Sequence, residues 1–363
     1  MSAVRRVLLA VAAPLLALVI SAIVATLVLM VSGDDVGAFW STMLTWPENR
    51  NVVNILNYAS ALYLSGIAAA IGFKMNLFNI GVEGQYRISA FAAAAFAGAG
   101  VLPGYLNTAA TIVVAMVAGA LWAGIAALLR VYRGVSEVIS TIMLNAIAGS
   151  VVGYFISKVG VQTGVSTATK TIQESSWVGD IPIFPDVPGI YGLAVLAVVV
   201  GIAYSVLLNR TRFGFDLRAT GLSESAAVAS GVSVKKMIVS AMLISGAVAG
   251  LIGMPVLFGQ AHNYGTSFQV GIGFAGIAVA LLGRNHPVGI ALGALVFAYL
   301  AEQGNLLNIL AGVSPDIVAV TQGVIVLAVV IAYEVVRRYR VVAEQREVAE
   351  QVEAHTAVEG AQA

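Results

Sequence analysis

Apolar residues run along this chain in long blocks, separated by charges, prolines and polar clusters. A helix needs about 20 such residues to cross the hydrocarbon core of a bilayer. Cutting at the interruptions gives ten candidate spans, at 7–31, 52–73, 77–101, 107–129, 137–157, 190–208, 237–258, 268–283, 287–303 and 317–334. The pattern therefore predicts an all-α polytopic membrane protein of about ten transmembrane helices. The third span carries a polar cluster near its start, and the eighth and ninth are short enough to be tilted, broken or partly re-entrant. Glycine and alanine dominate several blocks, as in AFAAAAFAGAG (90–100) and SGAVAGLIG (245–253), a composition that lets helices approach closely.

Composition agrees with the blocks. Of 363 residues, 59% are hydrophobic and only 10% charged, far too apolar for a soluble domain of this size. The 19 basic and 18 acidic residues nearly cancel, so no strong field points to nucleic acid. Cysteine is absent, which excludes disulfides and thiolate metal sites. His262, His286 and His355 share no metal-ligand spacing. From Val7 to Gly33 there are 27 uncharged residues, whereas a secretory signal core has about 7 to 15, so this block reads as a retained first span.

Orientation is set by lysine and arginine, which accumulate on the cytoplasmic side. With both termini inside, the 19 basic residues all fall in cytoplasmic segments except Arg50, Lys158 and Lys170 outside and Arg87 within a span. Outside, Trp40 and Trp46 fit an interfacial belt, and 158–189 forms the longest external loop, closing on the turn-rich Trp177, Asp180, Pro182, Pro185, Asp186 and Pro188. That loop reads as a docking surface for an external binding protein or as a plain surface loop. The stretch 341–363 is a polar cytoplasmic tail with Glu344, Glu347, Glu350 and Glu353 at a spacing of three.

Two stretches carry the candidate chemistry. The first is NLFNIGVEGQ (76–85), where Gly81 and Gly84 flank a lone carboxylate at Glu83, among Asn76, Asn79 and Gln85, with Arg87 one turn on. A charge near the bilayer centre costs roughly 2.5 to 3.5 kcal/mol, so these groups must be paired or face water. Two readings are open. Glu83 and Arg87, at i and i+4, neutralise each other on one helix face; or the glycines and amides mark an interrupted helix of the kind transporters place at a midplane site. The second stretch is the cytoplasmic loop 209–236. Gly221 is expected to break the chain there, Ser223 to cap a helix N-terminus, Glu224 to sit in its first turn and Gly231 to close it. Between them Ala226, Ala227 and Ala229 predict a smooth helix of about 8 residues, roughly 12 Å long, resting against a partner.

The sequence FNIGVEGQ closely resembles the signature of permease subunits from bacterial nucleoside ABC importers, within the branched-chain amino acid and simple sugar permease group. Arg218, Ala219, Gly221, Ala226, Ala227 and Gly231 match that group's ATPase-docking segment. EVISTIMLNAIAG (137–149), GFAGIAVALLGRNHPVGIALGAL (273–295) and SPDIVAVTQGVIVLAV (314–329) fit it too, so the resemblance covers about 52–334. It implies a single permease domain over 1–340, with spans 2–5 and 7–10 related as inverted repeats, in the bacterial plasma membrane. It implies a translocation pathway at Asn76, Asn79, Gly81, Glu83, Gly84, Gln85 and Asn145, and ATPase coupling through Arg218, Gly221, Ser223, Glu224, Ala226, Ala227 and Gly231. The implied partners are a second related permease in a heterodimer, an ATPase subunit with two fused domains and an extracytoplasmic substrate-binding lipoprotein. No cofactor is expected on this chain; no GxxxxGK[ST] loop occurs in it, so ATP and Mg belong to the partner ATPase. The alternatives are monosaccharide or branched-chain amino acid substrates, or an ATP-independent secondary transporter with Glu83 and Glu302 as a proton relay. No nucleophile, base or metal cluster recurs to support an enzyme.

Overall fold

The computed structural model describes residues 19–163, 166–265, 268–312, 314, 316–324, 326–328, 331 and 335. The start of the first expected span and the 341–363 tail lie outside the described residues. In chain order the helices are α1 (Val19–Ser32), α2 (Val36–Leu44), α3 (Asn49–Phe73), α4 (Val82–Ala99), α5 (Gly104–Arg133) and α6 (Glu137–Val159). A small hairpin comes next, β1 (Val161–Thr163) antiparallel to β2 (Ser166–Ala168), with Val161 opposite Ala168. Then come α7 (Val195–Arg210), α8 (Arg212–Leu222), α9 (Glu224–Ala229), α10 (Val234–Gly250), α11 (Met254–Val256), α12 (Ile272–Leu282), α13 (Pro287–Ala311) and α14 (Asp316–Ala328).

Six stretches among the described residues are long and apolar enough to cross a membrane: α3, α5, α6, α7 with its leading turn, the run Val234–Ala261 and α13. Helix ends obey local chemistry. Gly134 adopts φ 66°, and its N–H and that of Val135 return to the carbonyls of Arg130 and Leu129, closing α5 where Arg130 and Arg133 complement the helix dipole.

Several boundaries depart from the sequence pattern. The third expected span, 77–101, becomes helical only at Val82, because 74–81 form an irregular segment. The eighth shrinks to the 11 residues of α12, about 16 Å at the helical rise, too short to cross the core. The ninth lengthens to the 25 residues of α13. α2 was not expected at all; Asp35 starts it by accepting from the Ala38 N–H at 2.9 Å.

The chain divides into two units. One comprises 1–45 and 303–363. Within it the Trp40 indole N–H donates to Thr26 at 3.0 Å, and the Gln303 amide donates to the carbonyl of Thr42 at 2.7 Å. The other, 46–302, is built around α3, whose Leu62, Leu64, Ile67 and Ala68–Ala70 are fully buried against α7, α10 and α12. Beside it α5 and α10 touch backbone to backbone: a Cβ on Gly119 would lie 2.1 Å from the Gly246 carbonyl oxygen. Small residues make that contact possible, and dispersion rewards it where water gives no drive between helices.

The 158–189 loop folds over the end of the α10–α11 segment. Thr169 exchanges hydrogen bonds with the Tyr264 backbone at 3.0 and 2.9 Å, and the Ile172 N–H donates to the His262 carbonyl at 2.8 Å. The Trp177 ring lies flat on His262, with centroids 3.7 Å apart and planes at 9°.

Candidate functional site

The interrupted segment begins where α3 stops. Asn76 turns the chain at φ 59°, in the left-handed region that asparagine tolerates better than most residues, and its side chain is exposed. Asn79 is fully buried and organises the turn into α4. Its Oδ1 accepts from the Gly81 N–H and the Gln85 amide, both at 3.0 Å, while its Nδ2 donates to the Ser245 hydroxyl at 2.8 Å. The Ser245 hydroxyl in turn donates a hydrogen bond to the carbonyl of Ala68 at 2.6 Å. One amide thus ties the segment to α4, α10 and α3 together.

Asn145 of α6 clamps the other side. Its Oδ1 accepts from the Gly84 N–H at 2.8 Å, and its Nδ2 donates to the Ile80 carbonyl at 2.9 Å. The irregular backbone is therefore satisfied by buried amides rather than by lipid, as any non-helical segment at membrane depth requires.

Glu83 is the second residue of α4 and only 3% exposed. Its Oε1 accepts from the Gly271 N–H at 2.9 Å and its Oε2 from the Gly273 N–H at 2.8 Å, so the carboxylate caps the start of α12. Two helix N-termini, each a partial positive charge, converge on one carboxylate. The approach is close enough that a Cβ on Gly273 would fall 2.3 Å from the Glu83 backbone nitrogen. Gly271 itself adopts φ 98°. The i, i+4 neutralisation of Glu83 by Arg87 is not formed: the ion pairs among the described residues are Arg130 with Glu137 at 3.1 Å and Arg212 with Asp216 at 3.8 Å.

The 209–236 loop holds two helices where one was expected. Ser223 caps α9, accepting from the Ala226 N–H at 3.3 Å, Glu224 lies in the first turn, and Gly231 at φ 83° lies just past its end. α9 has 6 residues rather than about 8. Gly221 does not break the chain. It is the next-to-last residue of α8, at a position where a Cβ would meet the Lys74 carbonyl oxygen at 2.6 Å and Met75 Cα at 2.9 Å. α8 thus rests directly on the residue preceding Asn76. Arg218 donates to the Leu208 carbonyl and stands near Lys74; burial, then the charges of Arg218 and Arg284, hold the Lys74 ammonium below its ordinary pKa. The alanine pair splits: Ala226 is exposed, whereas Ala227 is 2% exposed and packs within this chain. Leu222 and Val228 are 89% and 60% exposed on the same segment.

The structure brings Asn79, Gly81, Glu83, Gly84, Gln85 and Asn145 into one network and leaves Asn76 at its edge. Sequence reasoning missed Ser245, Gly271 and Gly273. Gly273 opened a recognised stretch and Ser245 a small-residue one, but neither carried a polar signal pointing back to 76–85. No group of three or more histidine, aspartate or glutamate side chains able to hold a metal occurs among the described residues.

A polytopic helical chain in which the irregular connection between α3 and α4 is held by buried amides, and in which a short helix pair on the 209–236 loop packs against that connection, fits a membrane transport subunit. Residues 51–332 match the family described as branched-chain amino acid transport system / permease component, and the chain belongs to that family, as a multi-pass protein of the plasma membrane. It is 34% identical over 323 residues to the guanosine ABC transporter permease protein NupP of Bacillus subtilis, covering 87% of this chain and 92% of that one. It is 31% identical over 310 residues to a glucose ABC transporter permease protein of Haloferax volcanii, with 81% and 79% covered. Identity to the nucleoside ABC transporter permease protein NupB of Lactococcus lactis is 30% over 297 residues, with 78% and 79% covered.

Proposed function

We propose that this chain is the membrane subunit of an ATP-driven ABC importer for nucleosides, built on about ten membrane helices of which α12 does not cross the core by itself, with both termini cytoplasmic and spans 2–5 and 7–10 as inverted repeats. The observation that carries the mechanism is the seat of α8 on Lys74 and Met75, through Gly221. A push on the α8–α9 loop passes by backbone contact to the start of the 76–85 segment, and from there through Asn79 and Glu83 to α10 and α12. ATP and Mg act on a partner ATPase, whose cleft receives α9 and the exposed Leu222 and Val228. A second, related permease covers the outer face of α6, where Ile139, Ile142, Met143 and Ile147 are exposed. An extracytoplasmic binding lipoprotein delivers substrate to the 158–189 loop.

Nucleosides are favoured as substrate by the guanosine and nucleoside permeases among the relatives, and the glucose permease keeps monosaccharides as the second reading. The anchored state of Glu83 weighs against a proton relay, since both carboxylate oxygens are engaged by backbone N–H groups.

The test is Ala226→Trp, at an exposed position of α9, in the complex co-expressed with its ATPase. Overpacking a close contact costs about 1 to 3 kcal/mol, so insertion is expected to be normal while ATPase co-purification and nucleoside uptake fall roughly tenfold or more. Ala227 is unsuitable for the same test, because a tryptophan there disrupts the chain's own packing. Undiminished, ATP-independent uptake would favour a secondary transporter, and glucose uptake without nucleoside uptake would favour the sugar reading.

A further inference from the structure

An apolar groove of about 600 Å³ runs between α3, α7 and α13. Ile181 and Ile190, which pair across an isolated bridge in the external loop, line one end, and Ser205 of α7 and Pro287 of α13 line the other. From Ala194 to Ser205 the groove follows about three turns of α7, roughly 16 Å at the helical rise. No charged side chain is among its lining residues. Val198 and Ile202 on the α7 wall and Val288 on the α13 wall are each 61% exposed, so the groove opens sideways, where two membrane helices meet lipid chains.

Cations gather at the Pro287 end. Arg284 and Asn285, just before α13, are consecutive left-handed residues at φ 53° and 54°, a conformation that side chains disfavour. The Tyr204 hydroxyl fixes this turn by donating to the Asn285 carbonyl at 2.9 Å, and four residues on along α7 the Leu208 carbonyl accepts from Arg218. Positions 204 and 208 are neighbours on one helix face, so the Arg284 turn and Arg218 are held side by side. α8, which carries Arg218, lies on Lys74 through Gly221. Lys74 and Arg218 are half-buried and Arg284 is exposed. The charges oppose one another: burial, then Arg218 and Arg284, hold the Lys74 ammonium below its ordinary pKa. Asp216, the carboxylate carried by α8, is engaged by Arg212 at 3.8 Å. An anion set among like charges relieves their repulsion.

We propose that the groove and the Lys74, Arg218 and Arg284 cluster form one binding site for an acidic phospholipid of the cytoplasmic leaflet, with its phosphate on the cations and an acyl chain along α7. An apolar groove by itself accepts a chain from any lipid. The cations at one end supply the choice, because guanidinium and ammonium groups bind phosphate by charge-assisted hydrogen bonds, and basic pockets between membrane helices on the cytoplasmic side recruit anionic head groups. The position carries a consequence: the cluster is also the seat of α8, so a head group there braces the contact through which the 209–236 loop reaches the 76–85 segment. The leaflet and this consequence rest on the orientation and importer reading given above; binding itself does not.

The test is lipid retention by the full-length subunit in detergent, incubated with an equimolar mixture of phosphatidylglycerol and phosphatidylcholine of matched acyl chains and read by native mass spectrometry. No transport is needed, so a failed importer reading leaves the result intact. Wild type is expected to retain a phospholipid and to prefer phosphatidylglycerol by about tenfold or more, since a basic residue beside an anionic head group is worth about fivefold in affinity. Lys74→Gln, and Arg284→Asn with a residue that tolerates the left-handed turn, should each lower that preference by about fivefold. Ala291→Phe fills the groove, leaves the cations in place and should abolish retention of both lipids. Equal retention of the two lipids by wild type, or a preference unchanged in both charge variants, overturns the site. Undiminished retention in Ala291→Phe shows an anion held at the surface without the groove and overturns it equally; should that variant fail to fold, Val198→Trp, at an exposed position of the same groove, decides by the same criterion.

Discussion

Removing the Glu83 carboxylate tests whether the head-to-head meeting of α4 and α12 is held by this one side chain. In Glu83→Ala the N–H groups of Gly271 and Gly273, now satisfied at 2.9 and 2.8 Å, lose their acceptors in a site that water does not reach freely. Each buried unsatisfied donor costs about 1 to 3 kcal/mol, so the loss is roughly 2 to 6 kcal/mol. The two helix N-termini also lose a compensating negative charge, which adds about 0.3 to 1 kcal/mol each. Glu83→Gln keeps one acceptor and turns an amide donor towards the second N–H, so its cost is expected to be about half as large. Thermal unfolding of the detergent-solubilised subunit should rank wild type above Glu83→Gln above Glu83→Ala, and uptake should fall in the same order. Because Glu83 is held by Gly271 and Gly273 and forms no ion pair with Arg87, adding Arg87→Ala to Glu83→Ala should not restore either quantity. Recovery of stability in the double variant by about 1 kcal/mol or more would refute the capping account and reinstate a Glu83–Arg87 ion pair.

Two further outcomes are expected. In this cysteine-free chain, Thr171→Cys, exposed in the 158–189 loop, should react with an impermeant thiol reagent from outside, whereas Ser225→Cys, exposed at α9, should react only after permeabilisation; the reverse pattern would invert the topology. Burial holds the His262 imidazole below its ordinary value of 6.5, an effect partly offset by Asp180. A depressed folded-state pKa contributes stability that is present above 6.5 and lost as pH falls through the folded value. Acidifying the external side should therefore loosen the Trp177–His262 stack, read as a shift in tryptophan emission between pH 7.5 and about 5 that His262→Gln abolishes. An identical shift in His262→Gln would show that another group drives it.

The one-dimensional pattern determined what kind of protein this is, because crossing a bilayer imposes a length and an apolar content that any helix must satisfy by itself. The same local logic made the Ser223 cap readable, since its acceptor and donor are three residues apart. It also located the 76–85 segment, because amides, glycines and a carboxylate inside an apolar block have no local explanation. What each residue does there was not legible. Asn79 finds Ser245 at a separation of 166 residues, and Glu83 finds Gly271 and Gly273 at 188 and 190. The sequence near Glu83 offered Arg87 as its partner at the right helical spacing, and only the tertiary structure decided against it. Two backbone N–H groups at a helix start carry no side-chain signature, yet in a buried site they bind a carboxylate in full. Gly221 went the same way: read alone it is a breaker, and only the close pass of α8 over Lys74 and Met75 makes it a contact, because a missing Cβ has meaning only when the opposing backbone is in place.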